Sequence, residues 1–313
     1  MYLSSRILCC LLLTLTIAGP TLAAASPEVL PLWPAGTLDA DTVRGPERVG
    51  REGSGLGAVA NISEPRMAIH RPARPNGTAV VIAGGGGYFR IQIGRGSEPV
   101  AKWLNAVGIT AAILYYRLPG DGWPAAAPFA DGQRAIRLLR ARADELGIDP
   151  QRIGVIGMSA GGHLGAILGS RFETAFYEPV DAVDGVSPRP DFTVLLYPVI
   201  SMAPPLDTTR SRQKLGTDPD VVEAYSAERH VQPRSSPAFL AHSLDDPIAD
   251  PDHSRVMAAA LEQAGVPVEL HLFDSGGHSW GIGLPGTPTA TWPRLFITWA
   301  RQQGFVGTAR SRR

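Results

Sequence analysis

The stretch GMSAGGHL, residues 157–164, sets Ser159 between Gly157 and Gly161 directly after the apolar run RIGVI. In a G-x-S-x-G arrangement a strand turns sharply into a helix, the glycines remove side chains that would collide, and the serine hydroxyl is left at the tip as a nucleophile. Ala160 then opens the helix, and its backbone N–H, with the helix dipole behind it, suits an oxyanion. Such a nucleophile needs a base. His278 lies in DSGGHSWG, on a glycine-flanked loop outside any periodic apolar pattern, which suits a general base better than a packed core residue. The other histidines compete poorly: His230 and His253 read as surface residues, His242 and His271 fall within strand patterns, and His163 reads as packing near the elbow. A carboxylate must orient the imidazole, and Asp245, Asp246, Asp250 and Asp252 are all candidates, those not used being turn or capping residues.

An oxyanion needs more than one amide. The run TAVVIA reads as a short buried strand that ends in the glycines 84 to 87, followed by Tyr88. Without Cβ atoms that backbone can approach a ligand closely, so Gly86 and Gly87 are the expected donors alongside Ala160. No H-E-x-x-H or comparable ligand spacing occurs, and the expectation is no metal and no cofactor.

The surrounding pattern must deliver these groups to one place. EPVAKWLNAVG has helical spacing, ITAAILYY is a buried strand, FADGQRAIRLLRARADELG is an amphipathic helix, and RIGVIG is again a strand. In that long helix Ile136, Leu138, Leu139 and Leu146 face inward and the arginines form a solvated face. FTVLLYPVI, SPAFLAHS and VPVELHLF continue as strands, with HSRVMAAALEQAG as a helix between the last two. Strand and helix alternate, which implies an α/β fold: a mostly parallel sheet with helices on both faces and active groups at the carboxyl ends of strands. Residues 201–237 are irregular apart from a short helix around VVEAYSAE, and read as a small cap-like insertion over that end.

The ends are of a different character. Residues 1–25 read as a signal peptide: Arg6, then the apolar ILCCLLLTLTIAG, then Ala23, Ala24 and Ala25, with cleavage after Ala23 or Ala25 and a secreted or periplasmic product. That segment holds Cys9 and Cys10, the two cysteines of the sequence, so the processed protein has no disulfide. Residues 26–65 form an irregular lead-in, in which the glycines of REGSGLGAV read as a flexible loop; residues 66–305 form the main domain; residues 306–313 are a basic tail. Asn61 and Asn76 sit in N-x-S/T sequons. The 29 basic and 29 acidic residues balance, which argues against nucleic acid, a charged membrane surface or a highly charged substrate as partner.

The order Ser159, Asp246, His278 behind a Gly-rich loop resembles the α/β-hydrolase fold. More narrowly, GGGGY, VAKWLN, YRLP, DGQRAIRLLR, IDPQRIGVIGMSAGGHL, RPDFTVLLYPVISM, FLAHSLDDPIADPDHS and GVPVELHLFDSGGHSWG resemble its small carbohydrate-esterase branch, which includes acetyl-xylan esterase-like and dienelactone-hydrolase-related proteins. The resemblance runs from about Pro65 to about Trp299 and aligns Asp246 with the acid of the triad. Gly84 stands where lipase-type relatives carry histidine, Ser243 where relatives carry glycine, and Ser279 and Trp280 depart from GGHGFG. The resemblance implies a serine esterase acting on short-acyl, chiefly acetyl, esters of plant polysaccharide fragments such as acetylated xylan. A generic short-chain carboxylesterase and a non-catalytic carbohydrate-binding descendant are the alternatives. Tyr88, Tyr116, Trp123 and Trp280, on or beside the loops at the strand ends, are the expected platforms for a sugar face.

Overall fold

The computed structural model describes residues 26–38 and 45–307. The leader reading falls on residues 1–25 and most of the tail reading on residues 308–313, both outside the described residues. Eight strands form the main sheet: β1 (Glu28–Pro31), β2 (Arg66–His70), β3 (Ala79–Ala83), β4 (Thr110–Tyr115), β5 (Ile153–Met158), β6 (Phe192–Leu196), β7 (Ala238–Ser243) and β8 (Val268–Phe273). They lie in the order β1-β2-β4-β3-β5-β6-β7-β8. β1 and β2 run antiparallel to their neighbours, and every pair from β4 to β8 is parallel. This is the mostly parallel α/β sheet the alternating pattern predicts, in the α/β-hydrolase architecture the resemblance implies.

Register places the functional end. Ala83 is paired with both Leu114 and Gly157, Met158 with Leu196, and Leu196 with Ala241, so the carboxyl ends of the central strands finish side by side. The glycine run, Ser159 and Tyr197 therefore emerge together.

The principal helices are α1 (Glu98–Ala106), α2 (Ala127–Ala141), α3 (Ala160–Ser170), α4 (Arg210–Leu215), α5 (Pro219–Tyr225), α6 (Asp252–Gln263) and α7 (Trp292–Gln302). Alternation along β6 shows how they sandwich the sheet, because successive side chains of a strand point to opposite faces. Phe192 meets Phe296 and Trp299 of α7 on one face. Thr193 and Leu195 lie on the other, so close to α3 that a Cβ on Gly169 or Gly165 would come within 3.0 Å and 3.3 Å of them. Trp103 of α1 packs on Trp292 of α7, closing the first face. α4 and α5 lie in the insertion, and α5 includes the VVEAY of the expected helix.

Two expectations need correction. The lead-in is not irregular throughout: β1 extends the main sheet, and Arg48–Val49 and Ala58–Ala60 join Ile91–Gln92 in a small antiparallel sheet. Short strands whose alternation spans only two to four residues leave too little periodicity to read. The arginines of α2 are not a solvated face. Arg134 is buried, bonding Leu32 O and the carboxylates of Asp181 and Asp184, and Arg140 pairs with Asp191 at 2.9 Å. Their charges hold the 181–191 loop against the helix. Both sequon asparagines are buried and their amides are engaged, Asn61 with the carbonyls of Gly45 and Pro46 and Asn76 with that of Val107. A glycan at either nitrogen would have to break that packing.

Candidate active site

The elbow between β5 and α3 is shaped by close backbone approach. A Cβ on Gly157 would stand 2.1 Å from the Gly161 carbonyl oxygen, and one on Gly161 would stand 2.0 Å from the Ala83 carbonyl oxygen. With those side chains absent, Ser159 takes φ 55° and ψ −118°, a strained conformation for a residue with a side chain. It is held there from both sides: its amide donates to Leu196 O, and its carbonyl accepts from Val199 and His163.

Ser159 Oγ lies 2.9 Å from His278 Nε2, and His278 Nδ1 lies 2.6 Å from Asp246 Oδ2. Asp246 is enclosed and saturated with donors. Its Oδ1 accepts the amides of Ile248 (2.8 Å) and Ala249 (3.0 Å), while Oδ2 also faces His242 Nε2 at 3.2 Å. Burial opposes its charge, yet the hydrogen bonds from His242 and His278 outweigh burial and hold its pKa well below the usual carboxylate range. Because Asp246 stays ionised, the Nδ1–H of His278 has a fixed acceptor and Nε2 is turned to the serine.

The glycine run lies against this group. A Cβ on Gly85 would be 3.0 Å from Ser159 Cβ, and one on Gly86 would be 2.2 Å from the Arg90 carbonyl oxygen. Gly86 and Gly87 have φ of 136° and 61°, the region that favours glycine. Among the described residues neither amide donates to a protein acceptor. Ala160 is the first residue of α3, where the backbone amide has no intrahelical partner. A cavity of about 770 Å³ opens here, lined by Gly86, Gly87, Ser159 and His278 together with Met158, Val199, Ile248 and Phe89.

The expected sugar platforms lie elsewhere. Tyr88, Tyr116, Trp123 and Trp280 are all buried and none lines the cavity. The polar tips of three of them explain why. Tyr116 Oη donates to Gly84 O at 2.7 Å, Tyr88 Oη meets His163 Nδ1 at 2.7 Å, and Trp123 Nε1 donates to Ile62 O. Trp280 stands edge-on to Tyr197, which in turn stands edge-on to His278. The two tyrosines thus anchor the glycine run. His163 Nε2 donates to Tyr225 O, so Nδ1 is the acceptor for Tyr88, and burial lowers this imidazole's pKa to about 4, keeping it neutral.

Two residues have more to do than their sequence setting indicated. His242 sits at the end of β7, and its Nε2 faces Asp246 and Ala249 O while Nδ1 meets Ser254 Oγ at 2.8 Å. Its four-residue spacing from Asp246 was the available signal, masked because the strand pattern accounted for it. His253 is buried rather than on the surface: its Nδ1 accepts the amides of Ile200 and Ser201, bracing the loop that carries Val199 into the cavity.

Residues 67–261 match the BD-FAE family. Over 233 residues the chain is 30% identical to an acetylxylan esterase of Xylanibacter ruminicola, a similarity that covers 72% of this chain and 45% of that protein. The chain therefore spans less than half the length of that relative. It is also similar to the structure of an acetyl ester-xyloside bifunctional hydrolase from Caldicellulosiruptor lactoaceticus, with 34% identity and a TM-score of 0.74 over 90% of this chain and 98% of the other. The carboxylesterase Cest-2923 of Lactobacillus plantarum WCFS1 follows at 25% identity and a TM-score of 0.68, covering 78% of this chain and 95% of that one.

Proposed function

The chain belongs to the BD-FAE esterase family, and on that premise we propose that it hydrolyses short-acyl esters, acetyl esters above all, through an acyl-enzyme on Ser159. The observation that carries the reading is the line Ser159 Oγ, His278, Asp246 at 2.9 Å and 2.6 Å, with its serine on a strained elbow at the wall of a cavity. His278 Nε2 takes the hydroxyl proton as Oγ adds to the ester carbonyl carbon. Asp246 keeps the imidazole in that tautomer and stabilises the imidazolium. The tetrahedral oxyanion is held by the amides of Gly86, Gly87 and Ala160. Collapse expels the alcohol, which takes the proton from His278; a water deprotonated by the same nitrogen then attacks the acyl-enzyme and frees the acid and Ser159.

Acetylated xylan fragments are the proposed substrate, supported by the names of the Xylanibacter and Caldicellulosiruptor relatives. The leader-like residues 1–25 support export, which amino-terminal sequencing of the processed protein would check. The decisive comparison is hydrolysis of a short-chain aryl acetate by the protein and by Ser159→Ala. The variant should be inert and should escape labelling by a fluorophosphonate; equal rates would sink the assignment, and an unlabelled parent would favour a binding protein.

A second reading, a generic carboxylesterase, draws on Met158, Val199 and Ile248, which give the cavity apolar wall for a longer acyl chain. Acetate release from acetylated xylo-oligosaccharides, set against alkyl esters of two to ten acyl carbons, separates the two. Negligible release beside brisk cleavage of long chains would favour the second.

A further inference from the structure

The charge around the cavity is one-sided although the chain as a whole is balanced. Arg90, Arg95 and Arg210 all line it, and no aspartate or glutamate does. Two of the buried arginines elsewhere in the fold meet carboxylates, Arg117 with Asp131 and Arg134 with Asp184, while buried Arg212 donates to the carbonyls of Met202 and Thr217. Among the described residues none of the three cavity arginines has a carboxylate within 4.0 Å. Two of them share one ring: the guanidinium carbons of Arg90 and Arg210 lie 5.1 Å and 5.2 Å from the centre of Phe89. Phe89 follows the glycine run by two residues, and Arg210 Cβ comes within 3.1 Å of where a Cβ on Gly87 would be, so this pair stands beside the proposed oxyanion donors.

Two buried polar atoms here have no partner: Arg90 Nε, a donor, and Gln92 Oε1, an acceptor. The orientation of Gln92 is set by its Nε2, which donates to Ser54 O at 2.6 Å. Two like charges gathered around one aromatic face with no carboxylate between them are the arrangement an anion completes, because a guanidinium meets a carboxylate through paired hydrogen bonds.

We propose that Arg90 and Arg210, paired on the ring of Phe89, with Arg95 lining the same cavity, form an anion subsite that selects esters that also carry an ionised carboxylate. The proposal rests on the esterase reading of the same cleft. The carboxylate can belong to the alcohol part, as in an acetylated oligosaccharide bearing a uronic acid, or to the acyl part, as in a half-ester of a dicarboxylic acid. It replaces the expectation, drawn from net charge, of a substrate without much charge.

Two matched pairs test it: acetylated xylo-oligosaccharides with and without a glucuronic acid branch, and monoethyl glutarate against ethyl pentanoate. The protein should favour the acidic member of at least one pair by about tenfold in kcat/KM, mostly through KM. That ratio should fall toward one in the Arg90→Gln, Arg210→Gln double variant and in high salt. Preference in the first pair assigns the carboxylate to the alcohol part, and preference in the second to the acyl part. A ratio at or below one in both pairs, or one that survives the double substitution, overturns the subsite. Calorimetry of Ser159→Ala with the deacetylated, glucuronic acid-branched oligosaccharide keeps the two claims apart. Arginine-dependent binding with no ester turned over by the parent would sink the esterase reading and leave the subsite standing, while brisk turnover without acid preference would sink the subsite alone.

Discussion

Asp245 accepts the amide of Gly277, the residue immediately before His278, at 2.8 Å, and that of Gly276 at 3.3 Å. Adjacent aspartates thus hold the base in two ways, Asp246 by gripping the imidazole and Asp245 by gripping the backbone of the loop that carries it. The two lie in the turn that follows β7, where the Asp246 amide donates to Ser243 O, and the turn sends their side chains to different partners. Asp246→Asn should lower kcat by about 10⁴, the size of the effect in other serine triads. Asp245→Asn should do more than a bystander would: a fall of about tenfold in kcat with KM little changed, because an exposed pair of hydrogen bonds to a charged acceptor is weakened, not abolished. A larger loss for Asp245→Asn than for Asp246→Asn would mean that the acid has been assigned to the wrong neighbour.

Stability should fall as pH drops below neutral through the protonation of two buried histidines. Burial lowers the pKa of His163 and of His253 to about 4, so both stay neutral in the fold down to that pH, whereas in the unfolded chain they take up protons near 6.5. The unfolded state therefore binds more protons between pH 6.5 and pH 4. The stabilisation is complete above that window and shrinks as pH falls through it, by on the order of 3 kcal/mol for each histidine. Urea midpoints measured from pH 7.5 to pH 4.5 check this, and His163→Gln should flatten the slope. A pH-independent midpoint would show that the two rings are not held neutral.

Steric crowding at the elbow predicts a sharp contrast between two glycines. Gly161→Ala drives a Cβ to 2.0 Å from the Ala83 carbonyl oxygen, so β3, α3 or both must shift, at a cost of about 1–3 kcal/mol or more and with loss of activity. Gly185→Ala meets nothing within 4 Å and should leave stability within about 0.5 kcal/mol of the parent. Thermal unfolding of the two variants side by side is the measurement, and equal midpoints would remove the elbow's steric argument.

Much of the frame could be read from residues alone because the periodic signals were strong. Runs such as AVVIA and IGVIGM are continuous apolar strands, and each has glycine at or just beyond its carboxyl end, where backbone must pass backbone. Ser159 and His278 were legible for the opposite reason: each breaks the surrounding pattern. The rest was hidden where one residue type serves two physical roles. An aromatic beside a strand end can stack on a ligand or brace a loop, and only the partner of its polar tip decides. A histidine in a strand pattern, such as His242, satisfies that pattern whether or not its ring reaches a carboxylate. An arginine on a helix is solvated by default, unless a distant loop supplies the acid, as residues 181–191 do for Arg134 and Arg140. Net charge likewise says nothing of how charges are distributed, and the cavity's three arginines are compensated elsewhere on the molecule.

Tyr88 offers a direct test of which role an aromatic plays here. If its ring stacked on substrate, Tyr88→Phe would keep the ring and leave stability untouched, while contacts to the sugar would shift KM. The structure puts the ring in the core at φ 59° and its hydroxyl 2.7 Å from His163 Nδ1, a buried acceptor already fixed by the bond from Nε2 to Tyr225 O. Removing the hydroxyl leaves that nitrogen unsatisfied, a loss of about 1–3 kcal/mol. Tyr88→Phe should therefore unfold at lower urea, and its ratio of KM for an acetylated xylo-oligosaccharide to KM for an aryl acetate should match the parent's. Unchanged stability with a KM raised for the oligosaccharide alone would return Tyr88 to the substrate.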